Sequence, residues 1–144
     1  MLNIEALAVP VSCNTAIESC ERFTYVKRTK IGSPYVIAGF ANLAKKFNSV
    51  AGFEAIGGFL LGSDVQLNGQ PLKVLPTRDP VFPAVMLLVA AREGVISTLV
   101  NALPQRFTHS DRIQNFATEK SQAIIAQGKT DQASLLAKLS VSVR

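Results

Sequence analysis

The chain has 144 residues, 48% of them hydrophobic and 17% charged, with a net charge of +5. That length suits one domain, or one domain and part of another, and that balance excludes a disordered chain. The basic residues are dispersed, never more than two in a row, and only 7% of residues are aromatic, which argues against a nucleic-acid-binding surface.

Ile4 to Val11 reads as a first strand, apolar and partly β-branched, closing on a Pro-Val-Ser turn. Ser12 and Asn14 offer caps for a short helix from Asn14 to Glu21. Phe23 to Val26 reads as a second strand. Gly32 then breaks the chain, Ser33 can cap, and Pro34 suits a first helical position. Val36, Ile37, Phe40, Leu43, Ala44 and Phe47 follow at helical spacing.

Next comes VAGFEAIGGFLLG (Val50–Gly62), read as two short buried strands joined by a tight loop that carries one carboxylate, Glu54. Glycines in such a loop let the backbone turn sharply and let a ligand approach closely. Ser63 to Gln70 is polar and ends in an Asn68-Gly69 turn signal, and Leu72 to Leu75 suits a short extended piece. Asp79 precedes PVFPAVMLLVAAREG, a mostly apolar helix ending at Gly94. Its Val85, Leu87, Leu88 and Val89 are expected in the core. A second helical stretch runs from Val95 to Leu103 and stops at Pro104.

After that boundary comes the stretch Arg106 to Phe116, then a helix from Thr118 to Gln127. The tail has an amphipathic front half and a short apolar end. Strands alternating with helices predict an α/β fold: a three-layer α/β/α domain with a small mixed sheet over residues 1–103. An incomplete α+β piece is expected over residues 104–144.

Cys13 and Cys20 stand seven apart, and a disulfide between them is conceivable. The opening MLNIEALAVPVS has no basic start, and Glu5 interrupts its apolar run. Free thiols in a reducing cytoplasm are therefore the simpler expectation. CxxC spacing is absent and the single histidine, His109, is remote, so no metal site is expected. The longest apolar run, VFPAVMLLVAA, falls short of the roughly 20 residues a membrane helix needs. A cytoplasmic protein without membrane or nucleic-acid partners is expected.

Four stretches, taken together and in order, resemble the third domain of the phosphohexomutases, the phosphomannomutase/phosphoglucomutase enzymes. They are PVSCNTAIE (Pro10–Glu18), RTKIGSPYVI (Arg28–Ile37), GFEAIGGFLLG (Gly52–Gly62) and TRDPVFPAVMLL (Thr77–Leu88). NALPQRFTHSDRIQNFATEKS (Asn101–Ser121) is similar to the linker and opening strand and helix of the fourth domain. The likeness covers roughly residues 5 to 125.

The resemblance implies a four-domain enzyme moving a phosphoryl group between the 1- and 6-positions of a hexose. It would work through a phosphoserine and a bisphosphorylated sugar. The family uses a Ser-His-Asn-Pro type loop, a magnesium loop of Asp-x-Asp-x-Asp-Arg type and an Arg-x-Ser-Gly-Thr phosphate loop. None of these occurs in the 144 residues. The third-domain sugar-reading loop does, at Glu54-Ala55-Ile56-Gly57-Gly58. Ile56 departs from the Ser or Asn usual there, and its hydrogen bond is lost with it.

The resemblance thus assigns substrate binding to Lys30, Gly32, Ser33, Glu54, Gly57 and Gly58, and assigns no catalytic residue. Glu54 would accept hydrogen bonds from two sugar hydroxyls, because a carboxylate offers several lone pairs to neighbouring OH groups. Lys30, beside N–H groups at a helix N-terminus, would face the sugar phosphate. The plain alternatives are a loop acid and a solvated lysine. Asp79 matches a family aspartate and equally suits a helix cap, and His109 reads as a surface residue.

The chain is then expected to be a phosphohexomutase fragment, inactive alone. It would bind a mannose or glucose phosphate and no cofactor, magnesium belonging only to the full-length enzyme. Its other partners would be the missing domains or a second copy of itself. The alternative is a non-catalytic sugar-phosphate-binding or assembly module.

Overall fold

A computed structural model describes residues 2–139. In chain order the elements are β1 (Ala6–Pro10), α1 (Ala16–Ser19), β2 (Tyr25–Thr29), α2 (Ser33–Leu43), β3 (Val50–Phe53) and β4 (Phe59–Leu61). They continue with β5 (Val65–Leu67), β6 (Gln70–Leu72), β7 (Leu75–Asp79), α3 (Val81–Ala90), α4 (Ile96–Asn101), α5 (Thr118–Thr130) and α6 (Gln132–Lys138). The chain divides into two units, Met1–Thr108 and His109–Arg144.

In the first unit a mixed five-stranded sheet has the order β2-β1-β3-β4-β7. β1 pairs in parallel with both β2 and β3, whereas β3–β4 and β4–β7 are antiparallel. The expected α/β class holds. β1 is buried along its whole length and alternates between two cores, as a central strand must. Ala6 and Ala8 meet Val36, Phe40 and Leu43 of α2 on one face. Leu7 and Val9 pack with Cys13, Ala51 and Leu61 on the other, where Ile17 of α1 joins them.

Close approach of α2 depends on glycine. A methyl at Gly52 would lie 2.5 Å from both the Ala8 carbonyl oxygen and Val36 Cγ1. One at Gly62 would lie 2.6 Å from the ring of Phe40. Helix and sheet are therefore locked at this spacing, and with them the loops at the end of β3 and the start of α2.

Several expectations are corrected. The expected Asn68-Gly69 turn is present, with φ of 51° and 77°, but it closes a small hairpin, β5–β6, that was not expected. Both residues are left-handed, as a two-residue hairpin loop of this kind demands. The first helix is a single turn, Ala16–Ser19, and Glu21 beyond it is left-handed at φ 51°. No strand forms over Arg106 to Phe116. A strand is not stable without a neighbour to pair with, and the described part of the second unit holds only α5 and α6. The short apolar end of the tail lies outside the described residues.

The largest correction concerns α3, none of whose residues is buried. Val85, Leu88 and Val89, expected in the core, are 50%, 64% and 50% exposed, and Leu87 is exposed too. The helix is apolar around its circumference, and one sheet face covers only one stripe of it. Phe82 stacks on Phe59 with ring centroids 5.1 Å apart. Between helix and sheet an open apolar cleft of about 810 Å³ remains, lined by Leu7, Phe53, Phe59, Phe82 and Met86 among others. No helix among the described residues is long and apolar enough to cross a membrane.

Candidate functional site

The loop between β3 and β4 is a three-residue hairpin connection, Ala55-Ile56-Gly57. The Gly57 N–H donates to the Glu54 carbonyl and the Glu54 N–H to the Gly58 carbonyl, both at 2.9 Å. Gly57 has φ 87°, the left-handed position that closes such a loop. Ile56, at the tip, is 77% exposed. The turn leaves Glu54 at its base, only 8% exposed although it is a carboxylate.

A buried carboxylate needs partners. Ser33 Oγ donates to Glu54 Oε2 at 2.8 Å, and Arg78 Nη1 reaches the same oxygen at 3.3 Å. Oε1 meets no donor among the described residues, yet it is not sealed from solvent. Ser33 opens α2, preceded by Gly32 at φ 121°, a conformation that residues with a Cβ rarely adopt. Gly32 occupies the cap position without a side-chain bond, so Ser33 is not the cap the sequence suggests. Its hydroxyl serves Glu54 instead. The N-terminal turn of α2 lies beside that carboxylate through this bond.

Lys30 is exposed, and its Nζ lies 5.6 Å from the centroid of the Tyr35 ring in the first turn of α2. No carboxylate pairs with it among the described residues. The structure therefore brings Ser33, Glu54 and Gly58 into contact, with Gly32 and Gly57 shaping the two loops.

Sequence reasoning missed Arg78. It lies on β7, and the pairing of Phe59 with Asp79 brings it beside the hairpin. Only the second glycine of the Gly57-Gly58 step hinted at it. Asp79 Oδ1 accepts the N–H groups of Val81 and Phe82 at 2.7 and 3.2 Å, so it anchors the first turn of α3 from just before the cap residue Pro80. Asn14 likewise accepts the Ala16 N–H at 2.8 Å.

Arg28 braces the β1–α1 loop. Its guanidinium makes a two-pronged pair with Glu18, 2.7 Å on each side, and donates to the carbonyls of Pro10, Cys13 and Asn14. Hydrogen bonding from Arg28 holds the Glu18 carboxyl below its ordinary range. Cys13 and Cys20 are free thiols. Burial pushes the Cys13 thiol up, which makes it a poor nucleophile. Among the described residues no three His, Cys, Asp or Glu side chains converge as metal ligands. Among these residues the donor set for a bound magnesium is not assembled.

No protein-family model matches the chain. It is 53% identical over 135 residues to a phosphomannomutase of Salmonella muenchen, a match covering 94% of this chain and 28% of that protein. A phosphomannomutase of Sinorhizobium fredii (strain NBRC 101917 / NGR234) is 36% identical over 142 residues, with coverages of 94% and 29%. The chain thus spans little more than a quarter of the length of the curated relatives it matches. With these identities over nearly all of its residues, the chain belongs to the phosphohexomutase family.

Proposed function

We propose that this chain carries the sugar-reading part of a phosphohexomutase and binds a hexose phosphate through Glu54. The observation that carries the reading is the asymmetry of that carboxylate: Oε2 is held by Ser33 and Arg78, while Oε1 has no donor among the described residues. A fixed, charged acceptor with one oxygen open suits two adjacent sugar hydroxyls, each bond contributing about 1.5–3 kcal/mol. Lys30 and the N-terminal turn of α2 supply positive charge for the phosphate. Gly57, with nothing within 4 Å of where a methyl would stand, leaves that side of the hairpin free for a ring to approach.

The whole enzyme would carry out 1,6-phosphoryl transfer on mannose or glucose phosphate. That chemistry requires nucleophile, metal and phosphate clamp to be positioned together, and their motifs are absent from these 144 residues. The chain alone is therefore expected to bind without turnover. Residues 1–103 are read as the third domain of the family and residues 104–144 as part of the fourth.

A second reading, a non-catalytic assembly module, draws on the bare apolar surface of α3. In the fragment reading that surface is covered by the rest of a full-length enzyme. An amide NMR titration with the 1- and 6-phosphates of mannose and glucose separates the two. Shifts confined to Lys30–Ser33 and Glu54–Gly58, and lost in Glu54→Ala, support sugar reading. No shift at millimolar ligand favours the assembly module.

A further inference from the structure

We propose that Arg78 is a positioning residue of this site: it holds Glu54 so that one carboxylate oxygen stays open, and Gly58 is glycine to seat it. The proposal rests on the sugar-reading role of Glu54 and adds a residue which that role had not included.

Two consecutive glycines close the hairpin for different reasons. Gly57 is left-handed, and a methyl there would meet nothing within 4 Å. Its glycine serves the turn. Gly58 is not in the left-handed region, so its backbone would accept any residue. Yet a methyl at Gly58 would clash with Cγ and Cδ of Arg78 and lie 3.4 Å from Glu54 Oε2. These are atoms in the middle of the arginine stem, which cannot simply swing aside while the guanidinium stays on Glu54. The second glycine serves the arginine.

The stem crosses bare backbone and delivers Nη1 to Oε2, where Ser33 already donates. Two donors from separate elements, α2 and β7, restrain the carboxylate through Oε2, and both leave Oε1 alone. Glu54 is nearly buried whereas the Arg78 side chain is 49% exposed. The arginine thus compensates a charge that solvent reaches poorly, at little desolvation cost to itself. Without it Ser33 is the sole side-chain donor among the described residues, and the carboxylate is freer to rotate between productive and unproductive orientations.

The test uses the 144-residue chain with mannose 1-phosphate as probe, in wild type, Glu54→Ala, Arg78→Met, Arg78→Lys and Gly58→Ala. Arg78→Met and Gly58→Ala are each expected to weaken binding about tenfold, the scale of one hydrogen bond to a charged group. Arg78→Lys should recover part of the loss, since lysine restores charge but not the rigid fork. A ligand-free reading accompanies this: the Arg78 guanidinium nitrogen resonances should move in Glu54→Gln and in Gly58→Ala alike.

If Arg78→Met and Gly58→Ala bind like wild type while Glu54→Ala does not bind, the positioning role is overturned and sugar reading stands. Should Glu54→Ala bind like wild type, both are overturned. If wild type itself does not bind, the guanidinium resonances decide: movement in both variants upholds the seat and the ion pair, and indifference overturns them.

Discussion

Ser33 and Glu54 are joined by a hydrogen bond of 2.8 Å across 21 residues of sequence, from the first residue of α2 to the base of the β3–β4 hairpin. The bond ties two loops that would otherwise move separately, and it satisfies a buried charge. Ser33→Ala should therefore lower the unfolding free energy by about 1.5 kcal/mol, the value of a hydrogen bond to an ionised group. It should also weaken hexose-phosphate binding. Urea unfolding and the same titration measure both. An unchanged midpoint with unchanged affinity would show that the hydroxyl contributes nothing in solution.

The glycines predict an order of damage. Gly57→Ala meets only backbone strain at φ 87°, about 1–2 kcal/mol for a left-handed residue. Gly52→Ala drives a methyl against the Ala8 carbonyl and Val36, fixed atoms at 2.5 Å. Overpacking of that kind costs roughly 1–3 kcal/mol, occasionally more, and here backbone is one of the obstacles. Thermal unfolding should rank Gly52→Ala below Gly57→Ala. The reverse order would mean that α2 is not pressed onto β3 as closely as described.

How much of this could be read from the chain follows from how local each signal is. The hairpin carboxylate was legible because strand, turn and glycines lie within thirteen consecutive residues, Val50–Gly62. The helix at Ser33–Leu43 was legible from its period and from Gly32-Ser33-Pro34. Arg78 was not, because its place at the site depends on the long-range register of β4 against β7. Ser33 looked like a cap, since composition cannot tell whether a hydroxyl turns to its own helix or to a carboxylate two elements away. The strands of the β5–β6 hairpin are three residues each and partly exposed, too short and too polar for alternation to show.

Arg28 and Glu18 give a pH prediction. Arg28 lowers the Glu18 carboxyl from its ordinary 4.5, chiefly by hydrogen bonding. A group depressed in the folded state adds stability above its unfolded value and loses it as pH falls through the folded one. Both side chains are partly open to water, 24% for Arg28 and 42% for Glu18, so screening makes the contribution a modest one. Urea midpoints of wild type should drop as pH falls below about 4.5. In Arg28→Met the Glu18 share of that slope should vanish, leaving a chain less stable at neutral pH and less sensitive to acid. Parallel slopes would remove the pair from the account.

The two thiols should separate kinetically. Cys13 is 5% exposed, its thiol raised by burial and its sulfur 3.7 Å from the Phe53 carbonyl oxygen. Cys20 is more open. Thiolate is the reacting form, so a thiol reagent should label one cysteine quickly and the other only at the rate of opening. Mass spectrometry of the early product should find the label on Cys20. Equal rates would mean that the loop braced by Arg28 opens readily.

The apolar surface of α3 yields the prediction that bears most on the assembly reading. Val85 and Leu88 are 50% and 64% exposed, on a helix without one buried residue. Contiguous bare apolar surface favours association. The chain should therefore bind a hydrophobic dye and self-associate with rising concentration. Val85→Lys with Leu88→Glu should reduce both effects and shift stability by only about 0.5 kcal/mol per site, as exposed substitutions do. Sedimentation, dye titration and urea unfolding read these together. Loss of the fold in the double variant would instead return Val85 and Leu88 to the core, where their apolar pattern first suggested they belong. A chain that stays folded and becomes monodisperse would identify α3 as the face through which it meets its partners.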